Sequence, residues 1–134
     1  MEIKRLAGML YASVSAVVIA FQVALALGAP WGAYAMGGAF PGQFPPPLRI
    51  AAVFQAALLL LLAVVVLARA GVALPQWSRA SRWLVWIVVA FSAASFLLNL
   101  ITPSAGERLI WAPVAFVLLL SSALTATGTN PPAA

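Results

Sequence analysis

Long apolar runs alternate along this chain with short segments rich in glycine, proline and charge. The first run, Leu6 to Leu27, follows Lys4 and Arg5 and is broken by Gly28 and Pro30. The second extends from about Leu48 to Ala68 and stops at Arg69; the third, Trp83 to Ile101, is entered through Arg79 and Arg82. The fourth, Ala105 to Thr127, opens on Ser104-Ala-Gly-Glu107 just after Pro103. That spacing is a capping box, and Glu107 falls in a first turn whose dipole favours an anion. Pro113 inside this run removes one backbone hydrogen bond and predicts a kink near that residue. At about 1.5 Å of rise per residue, roughly 30 Å of hydrocarbon needs about 20 residues, and each run suffices. The pattern predicts an all-α, four-transmembrane-helix bundle forming a single membrane domain over 1–134, with spans at about 6–27, 48–68, 83–101 and 105–127. A secretory signal is the competing reading of the first run, with small residues at Ala24 and Ala26, but its apolar region exceeds the usual length of about 7 to 15 residues.

Composition supports the same class. With 65% hydrophobic residues, 7% charged residues and a mean hydropathy of +1.10, the chain is too apolar for a water-soluble domain of 134 residues. The net charge of +5 does not imply nucleic acid, because the cations stand singly or in pairs at the ends of the runs and form no basic stripe. They read instead as orientation markers. Lys4, Arg5, Arg69, Arg79 and Arg82 fall on one side of the membrane and Arg49 and Arg108 on the other, which places both termini in the cytoplasm. The tail after Thr127, Gly-Thr-Asn-Pro-Pro-Ala-Ala, reads as a frayed end.

Catalysis finds little material. Cysteine and histidine are absent, which removes disulfides, thiol chemistry, haem or zinc ligation by those side chains and imidazole acid-base catalysis. Glu2 and Glu107 are the two carboxylates, and the topology separates them by the membrane. No nucleophile with a recognisable base, phosphate-cradling loop or metal-ligand cluster is present, so neither an enzyme nor a metal or cofactor is expected.

The first outer connection, Gly28 to Pro47, holds five glycines, five prolines, Trp31, Tyr34, Phe40 and Phe44, and no charge. Flexible linkers are polar and Ser-rich, so this composition predicts an ordered, turn-rich cap at headgroup level, where Trp and Tyr are favoured. Pro45 to Pro47 are expected to form a stiff lead into the second helix.

Two sets of residues stand out within the spans. Gly8, Ala12, Ala16, Ala20 and Ala24 recur every four positions, a stripe that permits close helix approach and is expected to pack within the bundle rather than form a dimer face. Tyr11, Ser15 and Gln22 lie on roughly the opposite side of that helix; Ser92, Ser95 and Asn99 share a face of the third, and the second carries Gln55. Gln22 and Gln55 fall about 8 and 10 Å below the outer ends of their helices, and Asn99 almost at its own end. These groups either hydrogen-bond across the bundle as structural glue, the favoured reading, or line a polar pocket formed by Gln22, Gln55, Asn99 and Ser95. Arg49 sits in a first turn where the dipole disfavours a cation, so it is expected to find Glu107 or a lipid phosphate, or to snorkel to the interface. Arg49, Glu107, Trp31 and Tyr34 are the candidate outer-face binding residues.

Leu27-Gly-Ala-Pro-Trp-Gly-Ala-Tyr, with Gly37-Gly38, Pro41-Gly42 and Pro45 to Arg49, resembles the first outer loop of small uncharacterised four-helix membrane proteins of bacteria. Asn99-x-x-x-Pro103-Ser104-x-x-Glu107-Arg108-x-x-Trp111-x-Pro113 is similar to their second. The resemblance implies a four-span bundle in a bacterial plasma membrane and carries no activity. The leading expectation is therefore a non-catalytic accessory or assembly component of a larger membrane complex, with membrane lipids and other membrane proteins as partners. The alternative is a binder or transporter of a small neutral or anionic solute, or of a lipid, using Gln22, Gln55, Asn99 and Arg49 under the cap formed by Trp31 and Tyr34.

The orientation is directly testable because the chain has no cysteine. In intact cells a membrane-impermeant maleimide should label a Gln43→Cys variant and leave Gln76→Cys unlabelled until the cells are permeabilised; the reverse pattern inverts the topology.

Overall fold

The structure, a computed structural model, describes residues 2–128, so most of the tail read as a frayed end lies outside the described residues. Four helices carry the fold: α1 (Ile3–Ala26), α2 (Pro46–Arg69), α3 (Ser78–Ile101) and α4 (Ala105–Thr127). All four are long and apolar enough to cross a membrane. Large apolar side chains such as Val17, Phe54, Ile87, Leu98 and Phe116 are exposed around the bundle, an arrangement that suits lipid and not water.

Each terminus has a local cause. α1 and α2 both end on a glycine with positive φ, Gly28 at +101° and Gly71 at +75°. The next amide then reaches back to an open carbonyl, Ala29 to Ala24 at 2.9 Å and Val72 to Leu67 at 3.0 Å. The prolines expected as a stiff lead-in divide: Pro45 is extended, while Pro46 and Pro47 lie inside the first turn of α2, where a missing N–H removes nothing the helix needs. α3 starts at Ser78, before the apolar run begins, because Arg79 and Arg82 are exposed residues near its start that a count of apolar positions passes over. α4 runs through Pro113 as one element.

The helices form a ring in chain order, with α1 packed closely on α2 and α4, α3 on α4, and α2 against α3 as the loosest side. The core is unevenly distributed. At the end remote from the 28–45 segment, Tyr11, Leu62, Val66, Val85 and Val88 make a closed cluster in which Val66, Val85 and Val88 have no exposed surface. Buried positions on α3 are Ser81, Val85, Val88 and Ser92, and none occurs beyond Ser92. α3 is therefore tightly held near its start and loosely packed near its end.

The tight end is fastened by cations and close backbones. Arg69 donates to the carbonyls of Ala126 (3.2 Å) and Gly128 (3.0 Å) at the negative end of the α4 dipole. Arg5 donates to Gly71 O at 2.9 Å. Gly8 of the small-residue stripe packs on Ala70, so closely that an added Cβ would overlap the Ala70 Cβ. Ala12 and Ala24 are half-buried, while Ala16 and Ala20 are exposed, so only part of the stripe is used within the bundle.

Gly8→Ala should lower stability by about 1–3 kcal/mol through overpacking. Ala70→Gly in the same chain should recover part of that loss, because the two changes share one contact. Thermal unfolding of the four members of this cycle in detergent measures the coupling.

Candidate functional site

The 28–45 segment contains 3-10 turns at Gly32–Tyr34 and Met36–Gly38 and is fastened to the start of α4. Ser104 accepts the Glu107 amide at 3.2 Å as an N-cap and donates its own hydroxyl to Ala33 O at 2.8 Å. The second half of the capping box is not made: the Ser104 amide turns to Thr102 Oγ1 (3.3 Å), and the Glu107 carboxylate accepts the Gly37 amide through Oε2 at 2.9 Å. One helical turn on, the Trp111 indole N–H donates to Tyr34 O at 2.9 Å. Gly106 lies directly under the Tyr34 ring, where a Cβ would come within 2.6 Å of Cε1.

Beneath this segment the four helices surround a cavity of about 300 Å³. Each wall is one helical face. α4 contributes Glu107, Trp111, Val114, Ala115 and Leu118, and α3 contributes Phe91, Ser92, Ser95 and Asn99. From α2 come Leu48, Ala51, Ala52, Gln55 and Leu59, and from α1 Tyr11, Val18, Phe21 and Gln22. Tyr34 and Met36 of the loop complete the rim. Tyr11 belongs both to the cavity and to the closed valine cluster, so the tight end of the bundle forms the floor. Ala51 and Gln55 line the cavity while remaining exposed, so it is open along the loosely packed α2 side.

Gln22, Gln55, Ser95 and Asn99 thus share one space, although they come from three helices. The hydrogen bonds expected of structural glue are not what they make. Asn99 donates from Nδ2 to Ser95 O, one turn back on its own helix, at 2.7 Å. No hydrogen bond holds the Gln22 or Gln55 amide to another described residue, and neither amide is a sealed, unsatisfied group. Deeper in the cavity, buried Tyr11 of α1 and Ser92 of α3 line the same space.

The candidate outer-face residues separate. Glu107 and Tyr34 line the cavity, whereas Arg49 and Trp31 do not. Arg49 donates from Nε to Phe44 O at 2.8 Å and lays its guanidinium against Gly28, so the pairing with Glu107 is not formed. A carbonyl from the loop meets the cation, and a loop amide meets the anion. Trp31 stacks on Phe21 at 6.2 Å between centroids, and Phe21 meets Trp111 at 4.7 Å with the rings tilted by 58°. The sequence names Phe44 only as a loop aromatic and Trp111 only within the second resemblance motif, and it gives Phe21 no role. Phe21 beside Gln22, and Trp111 four residues after Glu107, were the available signals.

Chemically, the walls offer amides, hydroxyls, one carboxylate and aromatic faces, which is equipment for recognition. A Gly106→Ala variant should push the Tyr34 ring aside and loosen the loop. Amide exchange of residues 31–38 should rise several-fold while that of Val85–Val88 stays slow; unchanged loop exchange contradicts the docking.

Comparison with protein-family models, with curated proteins and with solved structures finds no match, so the functional reading rests on this geometry.

Proposed function

We propose that the protein is a non-catalytic multi-pass membrane protein that binds or transports a small solute or a lipid group in this cavity. In this reading the 28–45 segment is a cap on the outer face, both termini are cytoplasmic, and the cavity occupies the outer half of the bundle, entered between α2 and α3. The observation that carries it is the pair of unengaged amides, Gln22 and Gln55, facing a common space of about 300 Å³. Amides kept as helix-to-helix glue gain roughly 0.6–2 kcal/mol each by bonding to one another, and these do not. The volume matches the lower end of small-molecule sites, about 300 Å³. Closure of the bundle below Tyr11 supports a site loaded from one side.

The accessory-subunit reading keeps one specific support. Ala16 and Ala20 form an exposed small-residue patch on α1 that the bundle does not use, where a helix of another membrane protein can approach.

Native mass spectrometry of the protein purified from its own membrane in mild detergent separates the two readings. The cavity reading predicts a small-molecule adduct that is lost in Ser95→Trp, which fills the space, and kept in Ala94→Trp, whose side chain starts on the exposed side of α3. Recovery without an adduct but in fixed stoichiometry with larger membrane proteins contradicts it and supports the accessory role.

A further inference from the structure

We infer that the ligand of this cavity carries an ammonium group on an apolar body, with the ammonium held at the rim by the Glu107 carboxylate and the aromatic faces of Trp111 and Phe21. This rests on the cavity being a binding site and adds the charge and class of what it binds.

The charge distribution argues first. Among the residues lining the cavity, Glu107 is the one that carries a formal charge at neutral pH. The two cations nearest this end are committed elsewhere: Arg49 to Phe44 O at 2.8 Å, and Arg108 to Thr102 O at 3.0 Å. A site for an anion needs donors or cations aimed inward, and here the charged wall would repel it. The alternative solute class expected from the sequence, neutral or anionic with Arg49 as its partner, loses that partner because Arg49 lies outside the walls.

Geometry argues next. Glu107 Oε2 is fixed by the Gly37 amide, while Oε1 accepts from no described residue. The carboxylate therefore has a set direction and a free oxygen. Trp111 lies one turn along the same wall, its indole fixed by Tyr34 O, and Phe21 packs against it. Aromatic faces carry negative potential and attract a cation whose hydration shell has been removed, while Oε1 can pair with the same charge. Gln22 and Gln55 remain for polar groups on the body, and Val18, Leu59 and Leu118 provide apolar wall below. A cavity of about 300 Å³ is roughly twice the 150 Å³ or so that accommodates benzene. One ring or short chain together with an alkylated ammonium is of that size. Such a group can belong to a free amine or to a lipid headgroup.

The test uses the full chain with benzyltrimethylammonium and its uncharged carbon isostere, 2,2-dimethylpropylbenzene, titrated by native mass spectrometry. The cation should bind, Glu107→Gln should weaken it about tenfold or more, and the isostere should be indifferent to that change. Glutamine keeps an acceptor for the Gly37 amide, so the loop stays docked. Phe21→Leu, a second variant independent of that contact, should weaken the cation several-fold more than the isostere. Equal binding of both probes, displaced by Ser95→Trp and unaffected by Glu107→Gln, overturns the ammonium assignment and leaves the cavity as a binding site. Binding of neither probe, with no adduct retained from the native membrane, overturns the cavity reading as well. In nanodiscs, displacement of the probe when phosphatidylethanolamine is added to phosphatidylglycerol upholds the inference with a lipid headgroup as the source. Binding insensitive to that lipid upholds it with a free amine.

Discussion

The hydrogen bond from the Gly37 amide to the Glu107 carboxylate joins the most irregular stretch of the chain to the start of its most regular kind of element. Met36, Gly37 and Gly38 all adopt positive φ, at 51°, 69° and 76°, and that succession turns the Gly37 N–H toward α4. A non-glycine residue in this region is strained, and Met36 is kept there by the contacts on either side. With Ser104 holding Ala33 O and Trp111 holding Tyr34 O, the loop becomes a roof and the carboxylate becomes a fixed feature of the rim. Without that contact the carboxylate has no fixed direction at the rim.

The bundle divides its work along its length. At one end small residues and valines allow close approach: Gly8 against Ala70, Val66 with Val85 and Val88, and Arg69 closing the α4 carbonyls. Toward the other end, side chains on α3 cease to be buried after Ser92, and α2 exposes Ala51 and Gln55 into the gap. Local stability follows the density of buried contacts. The same packing that makes the floor rigid leaves the α2–α3 side as the one most able to move when a ligand enters.

Much of the fold was legible because crossing a bilayer imposes a length that an apolar run either meets or fails. The N-cap at Ser104 was legible too, since its requirement is local. The destination of Glu107 was not. Its expected partners were Ser104 N and Arg49, and both were displaced by a loop amide whose direction depends on three successive left-handed residues, one of them a methionine. Whether the amides were glue or cavity wall was equally hidden. That outcome depends on how far α2 and α3 stand apart, which is set by the summed packing of the whole bundle and not by any local spacing. Phe21, and the place of Trp111 at the site, were hidden for a related reason, as aromatic residues at these positions serve equally well as lipid-facing side chains.

The most direct measurement is an experimental structure of the protein taken from its own membrane and crystallised in a lipidic phase. The account predicts ordered density beneath the 28–45 segment, in contact with Gln22, Gln55 and Asn99 and reaching the free oxygen of Glu107. A bundle closed over that space, with those amides bonded to one another across the helices, would contradict it.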